Sequence, residues 1–87
     1  MIDDVLKVFR KLDSKDLRIL TGIEIGMKNF EWVPLEEIRK YTKMNFDQLE
    51  YRLLRLFKSN MVVGTKTPYE GYQIYFDGYD ALALNTF

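Results

Sequence analysis

Eighty-seven residues, 47% of them hydrophobic and 30% charged, suffice for one buried core and exclude both a two-domain chain and a disordered one. With no cysteine and no histidine, disulfides, thiol nucleophiles and nearly all zinc or imidazole chemistry drop out. Thirteen basic residues against thirteen acidic ones remove any general electrostatic pull on nucleic acid, so such a contact has to be local.

The acidic start Met1-Ile2-Asp3-Asp4 leads into no signal-peptide core, and the longest unbroken apolar run, Ala81 to Leu84, is far too short to span a membrane. A cytoplasmic protein with no membrane partner is expected. Val5, Leu6 and Phe9, with Leu12 beyond, predict a short helix over residues 3–11. Asp13 and Ser14 read as a break and an N-cap, because their oxygens accept from the free amides of a following first turn. The next helix carries Ile19, Leu20, Ile23, Met27 and Phe30 on one stripe and ends near Asn29, with Gly26 letting another element come close. Glu31-Trp32-Val33 is extended in character, Trp32 is expected in the core, and Pro34 opens a helix whose Ile38 and Tyr41 face inward.

Lys43-Met44-Asn45 reads as a tight turn. Asn45 is the N-cap, Gln48 reaches back to it, and Met44 packs on Leu49 as a hydrophobic staple. The helix that follows runs to about Ser59, burying Leu49, Leu53, Leu56 and Phe57 and presenting Gln48, Arg52 and Arg55 on the other face. Met61-Val62-Val63 begins one strand, Thr67 to Gly71 is a turn, and Gly71 to Phe76 alternates into a second strand. Asp77 caps a closing helix that returns Tyr79, Leu82 and Leu84 to the core.

This order predicts an α+β fold, mainly α: a winged helix-turn-helix over residues 1–87 as a single domain, with an extra N-terminal helix, a β-hairpin wing and a C-terminal helix. In that fold the second helix of the pair meets a groove or a partner. Gln48, Tyr51, Arg52, Arg55 and Lys58 are therefore the candidate nucleic-acid contacts, joined by Lys66 and Tyr69 from the wing. Against this stands an ordinary solvated face diluted by Asp47 and Glu50, and for Tyr72 simple packing across the hairpin. The pairs Asp3/Asp4 and Glu36/Glu37 are not acid-base machinery, since adjacent helical residues point apart and neither pair has a partner group. They read as charge favourable to helix N-termini. The scattered glycines form no phosphate-cradling loop, so no cofactor is expected in this chain.

Leu20-Thr21-Gly22-Ile23-Glu24-Ile25-Gly26-Met27-Lys28-Asn29, continuing to Val33-Pro34, resembles the N-terminal winged-helix domain of the Rio-two subfamily of atypical protein kinases. So does Glu70-Gly71-Tyr72 through Gly78-Tyr79-Asp80-Ala81-Leu82-Ala83-Leu84-Asn85-Thr86. The two stretches cover about half the chain, in the family's order and spacing. The sequence departs at Phe30, where the family pattern suggests a more polar residue, and segment 47–58 is not diagnostic. The resemblance implies a fragment of an ATP- and magnesium-dependent serine/threonine kinase or ATPase acting in small ribosomal subunit maturation, with its catalytic lobe beyond Phe87. The partners it implies are ribosomal RNA of the small-subunit precursor and the kinase domain of the same polypeptide. Two other readings remain beside it: a free-standing, dimeric winged-helix regulator of duplex DNA, and a protein-protein interaction module.

Overall fold

Side-chain caps set two of the four helix starts among the described residues. The computed structural model describes residues 12–85, so the helix expected over 3–11 lies outside the described residues. The elements are α1 (Ser14–Gly26), β1 (Val33–Pro34), α2 (Leu35–Thr42), α3 (Phe46–Lys58), β2 (Val62–Thr65), β3 (Gly71–Ile74) and α4 (Phe76–Asn85). Asp13 is the cap of α1: its Oδ1 accepts from the Lys15 amide at 2.9 Å and the Asp16 amide at 3.0 Å. Asp16 closes the reciprocal box, its Oδ2 accepting from the Asp13 amide at 3.2 Å. Asn45 caps α3 as expected, with Oδ1 accepting from the Gln48 amide at 2.9 Å, and Met44 and Leu49 both join the core beside it.

Three boundaries differ from the sequence reading. Helix α1 stops at Gly26 instead of near Asn29, because Lys28 and Asn29 donate to the carbonyls of Ile25 and Gly26 and tighten the chain into a turn. That turn brings Val33 over Gly26, where an added Cβ would stand 2.6 Å from Val33 Cγ1. Pro34 precedes α2 as its cap residue, extended at ψ 149°, instead of occupying the first helical position. Helix α4 starts at Phe76 with Asp77 inside its first turn. The Tyr75 carbonyl, not an Asp77 side chain, takes the Gly78 and Tyr79 amides.

A three-stranded antiparallel sheet in the order β1-β3-β2 replaces the expected two-stranded hairpin. Val33 pairs with Tyr72 and Pro34 with Gly71 on one edge of β3, while Val62 pairs with Ile74 and Thr65 with Gly71 on the other. The extended Glu31-Trp32-Val33 segment thus becomes a short edge strand, and Pro34, which has no amide hydrogen, sits where the ladder ends. The Gln73 side-chain amide reinforces the pairing by donating to the Glu31 carbonyl at 2.6 Å.

Ile19, Leu20 and Ile23 of α1, Ile38 of α2, and Leu49, Leu53 and Leu56 of α3 close over Val33, Met61, Val62 and Ile74, with Ala81 and Leu82 of α4 completing the core. Met27 and Phe30 are partly buried against it, which gives the apolar Phe30 a packing role. Phe57, Tyr41, Tyr79 and Leu84, expected inside, are exposed instead. In each case a neighbour on the same helix already fills the core position, Leu56 for Phe57, Ile38 for Tyr41 and Leu82 for Tyr79 and Leu84. The arrangement of α2, a short turn, α3 and the sheet is a winged helix-turn-helix, mainly helical. No helix among the described residues is long and apolar enough to cross a membrane.

Candidate nucleic-acid interface

Helix α3 orders the candidate contacts by its own geometry. Gln48, Tyr51, Arg55 and Lys58 recur at offsets of three, seven and ten, so they share one exposed face. Tyr51 is the most open aromatic there, 65% exposed, and the Arg55 guanidinium lies 6.0 Å from its ring centroid. A flat ring beside a guanidinium, with an ammonium one turn on, can take a base on its face and phosphate on its edge.

Arg52 belongs to the seam between α3 and α1, with its side chain only 18% exposed. Nη1 donates to Asp13 Oδ1 and Oδ2 at 2.9 Å and to Asp16 Oδ1 at 3.0 Å. Burial works against the charged guanidinium, but the bonds to Asp16 and Asp13 outweigh it and raise its pKa. The Asp13 carboxyl is held below the usual range first by the Asp16 amide; slight burial opposes this, and Arg52 and the Lys15 amide add to the lowering. A depressed folded-state pKa stabilises above the unfolded value of about 4 and stops doing so as pH falls through the folded value. We therefore expect Asp13→Asn to cost up to about 1 kcal/mol near neutral pH, kept small by solvent screening of the half-exposed side chain. The gap between variant and wild type in urea midpoints should close as pH drops below about 4.

The wing folds back onto the domain. Tyr69 donates its hydroxyl to the Trp32 carbonyl at 2.7 Å, which leaves its ring accessible but its hydroxyl engaged. Trp32 is only partly buried, in correction of its expected core position, and lies against Gly71, where an added Cβ would be 2.7 Å from Trp32 Cβ. Tyr72 packs on the core as its structural reading required, donates to Glu70 Oε2 at 2.9 Å, and has its pKa raised by burial first and by Glu70 second.

Lys66 stands across a groove of about 430 Å³ from α3. Leu54, Phe57 and Tyr72 line it together with Glu50 and Glu70. This groove is apolar and acidic, so the cationic surface is the outer face of α3 and not the cleft beside the wing. A second opening does not follow from the sequence reading. A cleft of about 300 Å³ is lined by Arg39, Lys40, Lys43, Met44 and Asn45, with the Arg39 guanidinium 4.6 Å from the Phe46 ring centroid. Its one sequence signal is the pair of lysines bracketing the α2 terminus, but only the turn brings Phe46 back under Arg39.

The family model described as Rio2, N-terminal, matches residues 9–87. This chain belongs to the Rio2 N-terminal domain family. Over 97% of its length it is 36% identical to the serine/threonine-protein kinase rio2 of Schizosaccharomyces pombe, covering 25% of that protein. It is 48% identical over 61 residues to the RIO-type serine/threonine-protein kinase Rio2 of Methanocaldococcus jannaschii, which is 70% of this chain and 22% of that one. The Rio2 kinase from Chaetomium thermophilum, solved as an ADP/Mg²⁺-phosphoaspartate complex, superposes with a TM-score of 0.80 at 32% identity, covering 92% of this chain and 24% of that one. This Rio2 N-terminal domain thus spans about a quarter of the length of the relatives it matches. Its described residues contain no group of three or more His, Cys, Asp or Glu side chains that could hold a metal ion.

Proposed function

We propose that this domain is the RNA-contacting N-terminal module of a Rio2-type serine/threonine protein kinase that acts in maturation of the small ribosomal subunit in the cytoplasm. The observation that carries this reading is the exposed face of α3, where Tyr51, Arg55, Lys58 and Gln48 form an aromatic and cationic strip on a chain of zero net charge. Its partner is ribosomal RNA of the small-subunit precursor; ATP and magnesium serve the kinase portion of the parent protein. The kinase relatives favour this reading over a free-standing regulator of duplex DNA. Arg52 is left out of the contact set because two carboxylates already occupy it.

Replacing Arg55 and Lys58 by Glu is expected to weaken binding to precursor RNA by at least about tenfold and to flatten the dependence of log affinity on log salt by about 0.7 for each phosphate that is no longer neutralised. Filter binding across a salt series checks this. Unaltered affinity and slope would remove α3 from the interface.

A second reading, docking on the kinase domain of the same polypeptide, is favoured by one observation. Leu54 and Phe57 are more than half exposed on the groove side of α3, away from the cationic strip. The two readings use different sides of one helix and are compatible.

A further inference from the structure

The turn between α2 and α3 brings together groups that the α3 strip does not use. Lys43 sits at φ 60°, in the left-handed region, and ends α2 with its side chain exposed and without a partner among the described residues. The Arg39 guanidinium, one turn earlier, lies over the Phe46 ring, 4.6 Å from its centroid. Lys40 and Asn45, the cap residue of α3, also line the cleft. Arg39 and Lys40 do make ion pairs, with Glu36 at 3.0 Å and Glu37 at 3.3 Å. Both pairs are solvent-exposed i,i+3 contacts, the kind that contributes little and yields readily to a better anion.

Resting on the RNA reading above, we propose that this cleft is a second RNA subsite, specific for an unpaired nucleotide: Arg39, Lys40 and Lys43 hold its phosphate, and its base stacks on the Arg39–Phe46 layer. The chemistry of the pieces selects this occupant. A planar guanidinium placed over a ring has a face that a base can stack on and an edge that a phosphate oxygen can accept from, whereas an ammonium offers only a point charge. Stacking requires a base that is not already stacked in a duplex. Asn45, the cap residue of α3, lies in the cleft lining, which places the positive end of that helix beside it. The cleft lies at the start of α3, and the Arg55–Lys58 strip lies toward its end, so the two sites are tested separately.

The test uses the full-length polypeptide and two fluorescein-labelled probes of equal length, single-stranded oligouridylate and a duplex RNA, titrated across a salt series. The variant Arg39→Gln/Lys43→Asn keeps a hydrogen-bonding side chain at each position and places at 43 a residue that tolerates the left-handed backbone. Phe46→Leu keeps apolar volume and removes the ring. For the single strand, the double variant is expected to bind about tenfold more weakly, with a salt slope shallower by about 0.7 for each phosphate it no longer neutralises. Phe46→Leu is expected to bind several-fold more weakly with the slope unchanged, because stacking releases no counterions. The duplex should respond weakly to either. Unchanged single-strand affinity in both variants, while Arg55→Glu/Lys58→Glu still weakens binding, overturns the subsite and leaves the α3 strip standing. Equal losses on single strand and duplex also overturn it, since charge alone is then being read. If none of the variants changes RNA binding, the RNA reading itself fails.

Discussion

Arg52→Met is expected to destabilise the domain by about 3 kcal/mol, lowering its melting temperature by roughly 15 °C for a unit of this size. The effect comes less from the arginine than from what it leaves behind. Asp16 is 1% exposed, and Arg52 is the only cation bonded to it among the described residues. Removing one partner of a buried pair strands the other charge in a poorly solvating environment, which costs more than the pair contributes when intact. Asp13 is half exposed and turns to water at small cost, so the penalty falls on Asp16. The double variant Arg52→Met/Asp16→Asn should recover more than half of the loss. The neutral amide oxygen still accepts from the Asp13 backbone amide, and no charge remains buried. Urea midpoints of the two variants give the answer. A loss below about 1 kcal/mol for Arg52→Met would mean that Asp16 is rehydrated once Arg52 is gone, and that the seam between α1 and α3 is held by apolar packing alone. Below its melting point the Arg52→Met protein should bind RNA as wild type does, which separates this residue from Arg55.

The fate of Arg52 illustrates what a sequence discloses and what it withholds. Asp13 and Asn45 are legible as caps because each bonds to amides two or three residues away, and the spacing of the apolar residues on α3 marks Leu49, Leu53 and Leu56 as core. Arg52 and Arg55 look equivalent in the sequence, three residues apart on one polar side. Three helical residues nevertheless differ by roughly 60° in direction, and that angle turns Arg52 into the seam while Arg55 faces out. Deciding between them needs the carboxylates of α1, thirty-six and thirty-nine positions earlier. The third strand is hidden for the same reason: two residues carry no periodicity, and Val33 becomes a strand only because Tyr72 arrives opposite it. Phe57 and Tyr41 are misplaced inward by the sequence reading because the width of an apolar stripe is set by the neighbouring elements, which a single helix does not reveal. For the candidate site, the strip on α3 is readable as residue types at helical spacing. The Arg39–Phe46 cleft is not, since its two key groups lie on different helices and meet only through a left-handed Lys43.

Gly78→Ala is expected to destabilise the domain by about 2 to 3 kcal/mol, although helix propensity alone argues the opposite. In the interior of an exposed helix, alanine is favoured over glycine by about 1 kcal/mol. Here the added Cβ would collide with the Met61 carbonyl oxygen and stand 2.9 Å from Ile74 Cγ2. Neither obstacle is free to move. The Met61 carbonyl accepts the Tyr75 amide at 2.9 Å, the bond that carries β3 into α4, and Ile74 is a buried member of the core paired to Val62. Accommodation therefore requires lifting the first turn of α4, which breaks the Tyr75 bond and also loosens the Asp77 amide from the Asn60 carbonyl. Ala81 and Leu82 would move with it, opening the core beneath. Gly64→Ala provides the internal comparison. Its Cβ would meet the half-buried Tyr72 ring at 3.0 Å, a side-chain obstacle instead of a backbone one, so its cost should be smaller, near 1 kcal/mol. Thermal unfolding of both variants decides the point. If Gly78→Ala melts higher than wild type, propensity has won, and α4 does not rest on the Met61 backbone.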